Sequence, residues 1–507
     1  MREPHPLHEP LALVDDIEIR HGMGTLLDVI EDAEGLQYPQ PVLPDVEPGP
    51  HLAQVGRRLM HPDGPASIGE RDCSGQPGQA GTGNLRVRCL ALVFVHRLTL
   101  LSALTLAIYH IDSLGHELGR DLPSWSSCLT MKGSAMADIE YLISADSHLV
   151  EPYDLWEKAL ASKWGDAVPR KVDDNGNPLL FTGIEYIPIG KGIIDQTAED
   201  PDVRALVLRA GADPDARVKC LDIDGVDFEV LNSTWMLYAM RIEDGDLRRD
   251  CARVYNDWAA EFAASHPDRF LATAMVPVDD IGWACQEIER TTAMGLKGAI
   301  VFCANLPGLP PYRDKAYDPL WETAVATDNP ILLHIITGNE RDPFTMGGDE
   351  LGGAAGATVA ILQEVQPTLA NEFIFGRVLD RFPELNVLLG EYEVAWLPNL
   401  MWRLDQLANE YPAVWGLRDL KQPVRDLALK RVHHGFISDP YVVQVVDTLG
   451  HDMNLTWGSD FPHVRCTFPN SKPIVQERLE GLPQDVVDRI TYKTAAELFK
   501  INLPANV

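Results

Sequence analysis

From Ile139 onward, short apolar segments of strand length alternate along the chain with segments of helical period. The helical period is clear in residues 251–265 (CARVYNDWAAEFAAS) and in 283–294, which Gly295 follows. Strands that alternate with helices are expected to be parallel, because each crossover between parallel strands needs a helix. The candidate strands are Leu142–Ala145, Phe228–Asn232, Leu271–Val276, Gly298–Phe302, Ile331–Ile335, Asn386–Gly390, Arg431–Gly435 and Asn454–Gly458.

Eight such strands in succession favour a closed barrel over an open doubly wound sheet. An open sheet usually has a Gly-rich first turn, whereas Asp146-Ser147-His148 follows the first strand here. We therefore predict an α/β fold, a TIM-type (β/α)₈ barrel, over residues 136–507. Two connections, 151–216 and 338–369, are too long for plain loops. Both follow strands, so we expect them to cover the catalytic face of the barrel.

Residues 1–135 do not follow this pattern. They are rich in Pro, Gly and His, and turn signals such as Pro62-Asp63-Gly64-Pro65 interrupt them before any amphipathic period lasts three turns. We expect a poorly ordered N-terminal extension. Two alternatives remain, namely a regulatory or targeting segment, and an artefact of gene-start assignment with translation beginning at Met131 or Met136.

Composition excludes several classes of protein. The net charge of -32 argues against nucleic acid and anionic membranes as partners. The apolar segment Cys89–His110 is interrupted by His96 and Arg97, so we predict no membrane span. The cysteines are scattered singly, and the first residues lack the pattern of a secretory signal. We therefore expect a cytoplasmic protein.

Several candidate strands end in side chains that bind metals. In such a barrel the reacting groups lie at the carboxyl ends of the strands. Residues two apart on a strand point the same way, so Asp146 and His148 can share one ion. Imidazole and carboxylate ligands suit Zn²⁺, Mn²⁺ or Fe²⁺. Taken singly, each of these side chains could be structural; taken together they predict a catalytic metal site. The strand-end candidates are Asp146, His148, His334, Glu391, Glu393, His433, His434 and Asp460.

An ordered set of motifs runs from about Ile139 to Ile501, namely DSHLVEPYDLW, YNDWAAEFAASHPDRFLATAMVP, GLKGAIVF, YDPLWE, LLHI, RFPELNVLLGE and TWGSDFPH. This set resembles the amidohydrolase-related family, in the branch that includes aminocarboxymuconate semialdehyde decarboxylase and the aromatic-acid decarboxylases. The resemblance implies a barrel with one divalent metal, held by Asp146, His148, His334 and Asp460. We also expect a homo-oligomer.

The chain departs from the family pattern at two positions. Asp146 occupies the place where many members have the first His, and Glu391 falls near the catalytic His of the sixth strand. The fourth strand also ends without a lysine that could bridge two metals, which favours a single ion. We predict that Glu391 transfers the proton; the alternative is an ion pair with Arg403.

Three further residues complete the predicted site. Asp460 is expected to act in catalysis as well as in metal binding. Trp156 and His463 are expected to contact substrate, although packing for Trp156 and a surface turn for His463 are the alternatives.

Three functions fit this sequence. The first is a metal-dependent, non-oxidative decarboxylase of an aromatic or unsaturated carboxylic acid. The second is a hydrolase of an ester, amide or lactone, in which metal-bound hydroxide attacks the carbonyl. The third is a barrel that has lost its metal and its activity. The expected cofactor is one divalent ion, with Zn²⁺ first and Mn²⁺ or Fe²⁺ as alternatives, and the expected partner is a small carboxylate or ester.

Deletion of residues 1–135 provides a test of the predicted domain organisation. Because the barrel pattern begins at Ile139, we expect the shortened protein to keep the melting temperature and turnover of the full chain. Calorimetry and an activity assay on both proteins measure this, and a large loss of either would make the extension part of the fold.

Overall fold

The computed structural model describes residues 137–505, apart from 175–176, 185, 189–199, 338–358, 360–362 and 418. The predicted extension 1–135, the segment Cys89–His110 and most of the predicted connection 338–369 lie outside the described residues. None of the helices that the structure describes is both long enough and apolar enough to cross a bilayer.

The strands are β1 (Ile143–His148), β2 (Arg170–Asp174), β3 (Asn177–Phe181), β4 (Tyr186–Pro188), β5 (Phe228–Asn232), β6 (Phe270–Ala272), β7 (Ala274–Met275), β8 (Ala299–Val301), β9 (Ile331–His334), β10 (Val387–Gly390), β11 (Val432–Phe436) and β12 (Leu455–Trp457).

The α-helices are α1 (Leu155–Trp164), α2 (Pro201–Ala210), α3 (Pro214–Asp224), α4 (Trp235–Ala239), α5 (Gly245–Ser265), α6 (Ile281–Ala293), α7 (Asp318–Ala326), α8 (Val365–Thr368), α9 (Val378–Arg381), α10 (Leu397–Glu410), α11 (Val424–Asp426), α12 (Val442–Leu449), α13 (Ser471–Arg478), α14 (Gln484–Asp488) and α15 (Thr494–Phe499). Single turns of 3₁₀ helix (Gly165–Ala167, Lys315–Tyr317) and of π helix (Leu369–Ile374, Leu427–Arg431, Arg489–Lys493) complete the helical structure of the described residues.

The parallel strands follow one another in barrel order, as predicted. Hydrogen bonds join β1 to β5 and β5 to β6, and a second ladder runs from β7 through β8, β9, β10 and β11 to β12. Only Thr273 separates β6 from β7, so these two strands form one barrel strand that changes neighbours at this residue. The Thr273 N–H donates to Leu231 O, and the next N–H, of Ala274, donates to Gly298 O.

The barrel closes between β1 and the residues that follow β12. The Asp460 N–H donates to Asp146 O at 2.9 Å, and the Ser459 N–H donates to the Ser144 hydroxyl at 2.8 Å. A side chain at Gly458 would not fit, because its Cβ would lie 2.5 Å from Asp146 Cβ. The close approach of the two strands therefore depends on a glycine at this position.

Burial explains why these segments form strands. All residues of β1, β5, β9, β10, β11 and β12 are buried, as expected for parallel strands covered by helices on one face and by core side chains on the other. The boundaries match the predicted strands closely, except that β1 continues through His148. Asp146 and His148 are therefore both part of the strand, and the alternation of the strand turns them to the same side.

The first long connection has its own secondary structure. Between β1 and α3 the chain forms α1, the antiparallel sheet β2-β3-β4 and α2. Helix α2 begins at Pro201. The side chain of the preceding residue, Asp200, caps it by accepting hydrogen bonds from the N–H groups of Asp202 and Val203. This segment follows β1 and therefore starts from the carboxyl end of the barrel, where the prediction put it.

A buried arginine spans the closing seam. Arg217 of α3 is 0% exposed, and its guanidinium forms two hydrogen bonds with the Glu229 carboxylate, of 2.7 and 3.1 Å. The same guanidinium donates to His148 O at 2.7 Å and to Phe461 O at 3.1 Å. It also lies over the Phe461 ring, 4.5 Å from the centroid. Arg217 thus connects the end of β1 with the segment that carries Asp460.

Replacing Arg217 should destabilise the barrel strongly. Arg217→Met leaves the Glu229 carboxylate buried without a counter-charge, so we expect a loss of about 3–5 kcal/mol in the free energy of unfolding. The double variant Arg217→Met/Glu229→Leu should recover most of this loss, because no buried charge remains unpaired. Urea denaturation measures both.

The control is Arg209→Met, which removes an exposed pair with Asp213 and should cost at most about 1 kcal/mol. If Arg217→Met were as stable as the unmodified protein, Arg217 would not stabilise the seam.

Candidate metal centre

Six side chains converge at the carboxyl ends of the strands. Asp146 and His148 end β1, His334 ends β9, Glu391 follows β10, and Asp460 and His463 follow β12. They form two overlapping groups whose ligand atoms all lie within 4.8 Å of one another within each group. The first group is Asp146, His148, His334 and Glu391, and the second is His148, Glu391, Asp460 and His463.

The imidazoles of His148 and His334 face the carboxylates. His148 Nε2 lies 2.8 Å from Glu391 Oε1 and 3.5 Å from Asp146 Oδ1. His334 Nε2 lies 3.3 Å from Glu391 Oε1 and 3.4 Å from Asp146 Oδ1. Asp460 Oδ1 completes the set, 3.5 Å from His148 Nε2. Three of the predicted ligands, Asp146, His148 and His334, thus lie in one group with Glu391. The fourth, Asp460, lies in the second group, which shares His148 and Glu391 with the first.

Backbone carbonyls orient both imidazoles. His148 Nδ1 lies 2.7 Å from Ser233 O, and His334 Nδ1 lies 3.1 Å from Ile335 O. A carbonyl oxygen can only accept, so each Nδ1 carries a hydrogen and donates it. In the neutral ring the lone pair is then on Nε2, which points to the carboxylates. Metal-binding histidines have this arrangement, since the outer N–H fixes the tautomer and the ring orientation.

Several buried atoms of the cluster lack a hydrogen bond. Asp146 Oδ2, His148 Nε2, His334 Nε2 and Glu391 Oε1 are buried and unpartnered in the described part of the chain. Buried polar atoms are normally paired, and groups that are not require an explanation. Nitrogen and oxygen lone pairs directed at one another are satisfied together by a cation. The residues present thus fit a divalent metal ion, with no thiolate among them.

In the first group, the pKa values of the carboxylates are lowered and those of the imidazoles are raised. Burial raises the pKa of Asp146, but the imidazoles of His334 and His148 outweigh it and hold the pKa at about 2. The same imidazoles keep the pKa of Glu391 well below its usual value, against the effect of burial. Burial disfavours charge on His148, yet the carboxylates of Asp146 and Glu391 raise its pKa to about 10. In the absence of a cation, protons on the imidazoles balance the carboxylates.

The pKa values of Asp460 and His463 shift in the opposite directions, upwards for the carboxylate and downwards for the imidazole. Burial and the neighbouring Glu391 carboxylate raise the pKa of Asp460 well above its ordinary value. Burial and the positive His148 lower the pKa of His463 to about 3. Two carboxylates whose pKa values are shifted in opposite directions, Glu391 downwards and Asp460 upwards, therefore meet in one site.

Backbone conformation at the site is unusual. Glu391 and Asp460 have φ of +66° and +57°, in the left-handed region that residues with a side chain rarely adopt. Such positions cost about 1–3 kcal/mol each and cluster at functional sites. The preceding Gly390 leaves no room for a side chain, because its Cβ would lie 2.7 Å from the His334 ring and 2.9 Å from Asp146 Oδ2.

Two supporting residues were missed by the sequence analysis. The Asn232 amide donates to Asp146 Oδ1 at 2.6 Å, and the Thr273 hydroxyl donates to Asn232 Oδ1 at 2.7 Å. This chain of hydrogen bonds fixes the rotamer of the Asp146 carboxylate. Asn232 closes the predicted strand Phe228–Asn232, so the rule that selected the other strand-end residues could have selected it.

Some predicted site residues lie elsewhere. Trp156 is 0% exposed, and its indole N–H donates to Cys251 O at 3.0 Å, so it packs in the core rather than facing a substrate. Glu393 accepts from the Ile437 N–H instead of joining the cluster. His434 Nε2 lies 2.9 Å from Ala428 O, on the helix side of β11. Neither Trp156, Glu393 nor His434 belongs to the two metal-binding groups.

The alternative role for Glu391, an ion pair with Arg403, is not seen. Among the described residues, the imidazoles near its carboxylate are those of His148, His334 and His463. Arg403 instead lies over the exposed Trp402 ring. Glu391 is thus part of the cluster rather than of a surface ion pair.

Comparison with known proteins agrees with this architecture. A family model described as "Amidohydrolase" matches residues 207–501. The γ-resorcylate decarboxylase of a Polaromonas species is 32% identical over 227 residues, which make up 42% of this chain and 66% of that protein. The chain therefore spans just under two thirds of the length of this relative.

Two solved structures resemble the chain in fold. An amidohydrolase from Mycobacterium avium subsp. paratuberculosis superposes with a TM-score of 0.60 at 19% identity, covering 71% of this chain and 100% of that one. A 5-carboxyvanillate decarboxylase from Novosphingobium aromaticivorans, solved with bound manganese, superposes with a TM-score of 0.52 at 18% identity. The superposition covers 71% of this chain and 97% of that one. These likenesses confirm the predicted barrel.

Removing one ligand should remove the metal. In His148→Ala or Asp460→Ala the cluster loses a donor, so we expect bound divalent metal to fall to a small fraction of the unmodified level with little change in circular dichroism. Elemental analysis after dialysis measures the metal. Glu393→Ala is the control, because this carboxylate lies outside the cluster, and full metal retention in His148→Ala would contradict the assignment.

Proposed function

The chain belongs to the amidohydrolase family, and we propose that it is a metal-dependent, non-oxidative decarboxylase of an aromatic or unsaturated carboxylic acid. The observation that carries the proposal is the buried set of unpartnered imidazole and carboxylate atoms at the carboxyl ends of the strands. The similarity to a γ-resorcylate decarboxylase favours decarboxylation over hydrolysis. The alternative is hydrolysis of an ester, amide or lactone, which a panel of substrates distinguishes from decarboxylation.

We propose that one ion is held by His148, His334, Asp146 and Asp460, with Glu391 beside it. When bound, it would attract the substrate carboxylate and an adjacent oxygen and neutralise their charge. The sequence alone favours Zn²⁺ as the bound ion. The high share of carboxylate ligands and the manganese of the 5-carboxyvanillate decarboxylase structure make Mn²⁺ an equal candidate.

Proton delivery is the task of the protein. During decarboxylation the bond between the substrate carbon and its carboxyl group breaks, carbon dioxide leaves, and a proton takes its place on carbon. We propose that Glu391 delivers this proton. Its side chain is 9% exposed, against 7% for Asp146 and 4% for Asp460, which makes it the most open carboxylate of the cluster.

The low pKa of Glu391 determines the order of events. The carboxylate is ionised before substrate binds, so the proton has to reach it first, from solvent or from a substrate hydroxyl. Asp460 is the second candidate for proton transfer, because burial and the Glu391 carboxylate raise its pKa well above the ordinary value. Water is largely excluded, since His148 and His334 are at most 1% exposed.

The five cysteines that the structure describes are all unpaired, which supports the expected cytoplasmic location.

Glu391→Gln tests the proton transfer. The amide keeps an oxygen in the cluster but cannot carry the proton, so we expect retained metal and a loss of about 10²–10⁴-fold in turnover. Glu393→Gln is the matched control, two residues away but hydrogen-bonded to Ile437 instead, and should keep near-normal turnover. Unchanged turnover in Glu391→Gln would transfer the role to Asp460.

A substrate panel tests the reaction itself. We expect the metal-loaded protein to release carbon dioxide from dihydroxybenzoates or carboxyvanillates and to leave aryl esters intact, as followed by gas detection and by chromatography. Hydrolysis of the esters without release of carbon dioxide would replace the decarboxylase by the hydrolase. Elemental analysis of the purified protein identifies the metal.

A further inference from the structure

His463 occupies an unexpected position. The sequence predicted it as a substrate contact, yet its Nδ1 lies 2.6 Å from Asp460 Oδ1 and 3.8 Å from Glu391 Oε1. Its ring centroid is 4.1 Å from that of His148 at an interplanar angle of 33°. The nitrogen therefore points into the group of carboxylates rather than towards open space, and its side chain is only 19% exposed.

The other nitrogen of His463 is held by Thr234. Thr234 Oγ1 donates its hydrogen to Leu149 O at 2.6 Å. A hydroxyl has one hydrogen, so towards His463 Nε2, at 3.1 Å, Thr234 can only accept. His463 Nε2 therefore carries a hydrogen. In the neutral ring the lone pair is on Nδ1, which faces Asp460.

All three histidines of the cluster then follow one rule. The outer nitrogen of His148 donates to Ser233 O, that of His334 to Ile335 O, and that of His463 to Thr234 Oγ1. In the neutral form, which a bound cation would favour, the inner nitrogen of each directs a lone pair at carboxylate oxygens. Such an outer N–H bond is the usual mark of a metal-binding histidine.

We propose that His463 Nδ1 is a ligand of the divalent ion, on the side formed by His148, Glu391 and Asp460, and that Thr234 is a positioning residue that fixes its tautomer. The proposal rests on the metal centre of the proposed function and extends its ligand set. A nitrogen lone pair and a carboxylate oxygen 2.6 Å apart attract each other only through a positive centre or a proton between them. A metal ligand and a proton relay make different predictions for metal affinity.

The test compares the affinity for Mn²⁺ of full-length variants, measured from the electron paramagnetic resonance signal of the free ion. His463→Ala should raise the Kd for Mn²⁺ by about 10- to 100-fold. His463→Asn places an amide oxygen near the position of Nδ1 and should bind more tightly than His463→Gln, whose amide lies near Nε2. Thr234→Val, which cannot accept the Nε2 hydrogen, should weaken Mn²⁺ binding by a smaller factor.

The control is His451→Ala, an exposed histidine that contacts Asp447 and should leave Mn²⁺ binding unchanged. An unchanged Kd for Mn²⁺ in His463→Ala would overturn the inference. A raised KM in that variant would then indicate a substrate contact, and a lowered kcat would indicate a proton relay. In both cases the metal centre would stand. Absence of Mn²⁺ binding in the unmodified protein would overturn the inference and the metal centre together.

Discussion

Three carboxylates buried at one end of the barrel are the constraint on which the site depends. Asp146, Glu391 and Asp460 repel one another in a region that holds little water, and a buried charge is costly unless it is compensated. The nearest positive charge is either a proton on each of the imidazoles of His148 and His334 or a cation bound between them and the carboxylates. Positive charge at the centre therefore stabilises this arrangement.

The seam between β1 and the segment after β12 keeps these groups together. It joins the first and last strands of the barrel, which are more than 300 residues apart in sequence. Arg217 binds carbonyls on both sides of the seam, and Gly458 allows the two backbones to approach. His148 and Asp460 are held on opposite sides of this seam, so closure of the fold and assembly of the site are the same event.

The sequence predicted the architecture because periodicity reports burial directly. Each of the eight predicted strands has a counterpart, and Asp146, His148, His334 and Asp460 lie at the same end of the barrel because the carboxyl ends of its strands share that end. Rotamers and turns carry no such period. The left-handed φ of Glu391 and Glu393 ends the strand alternation after Gly390, so the two glutamates separate although they are two residues apart. The burial of Trp156 depends on α5, which is distant in sequence, and no local pattern reveals it.

The orienting bonds of the three imidazoles differ in how they respond to mutation. Those of His148 and His334 are made by main-chain oxygens, which every residue possesses, so no single substitution at the partner can remove them. That of His463 is made by the Thr234 side chain. A substitution at position 234 would therefore change the orientation of the third imidazole alone and leave the orienting bonds of the other two in place.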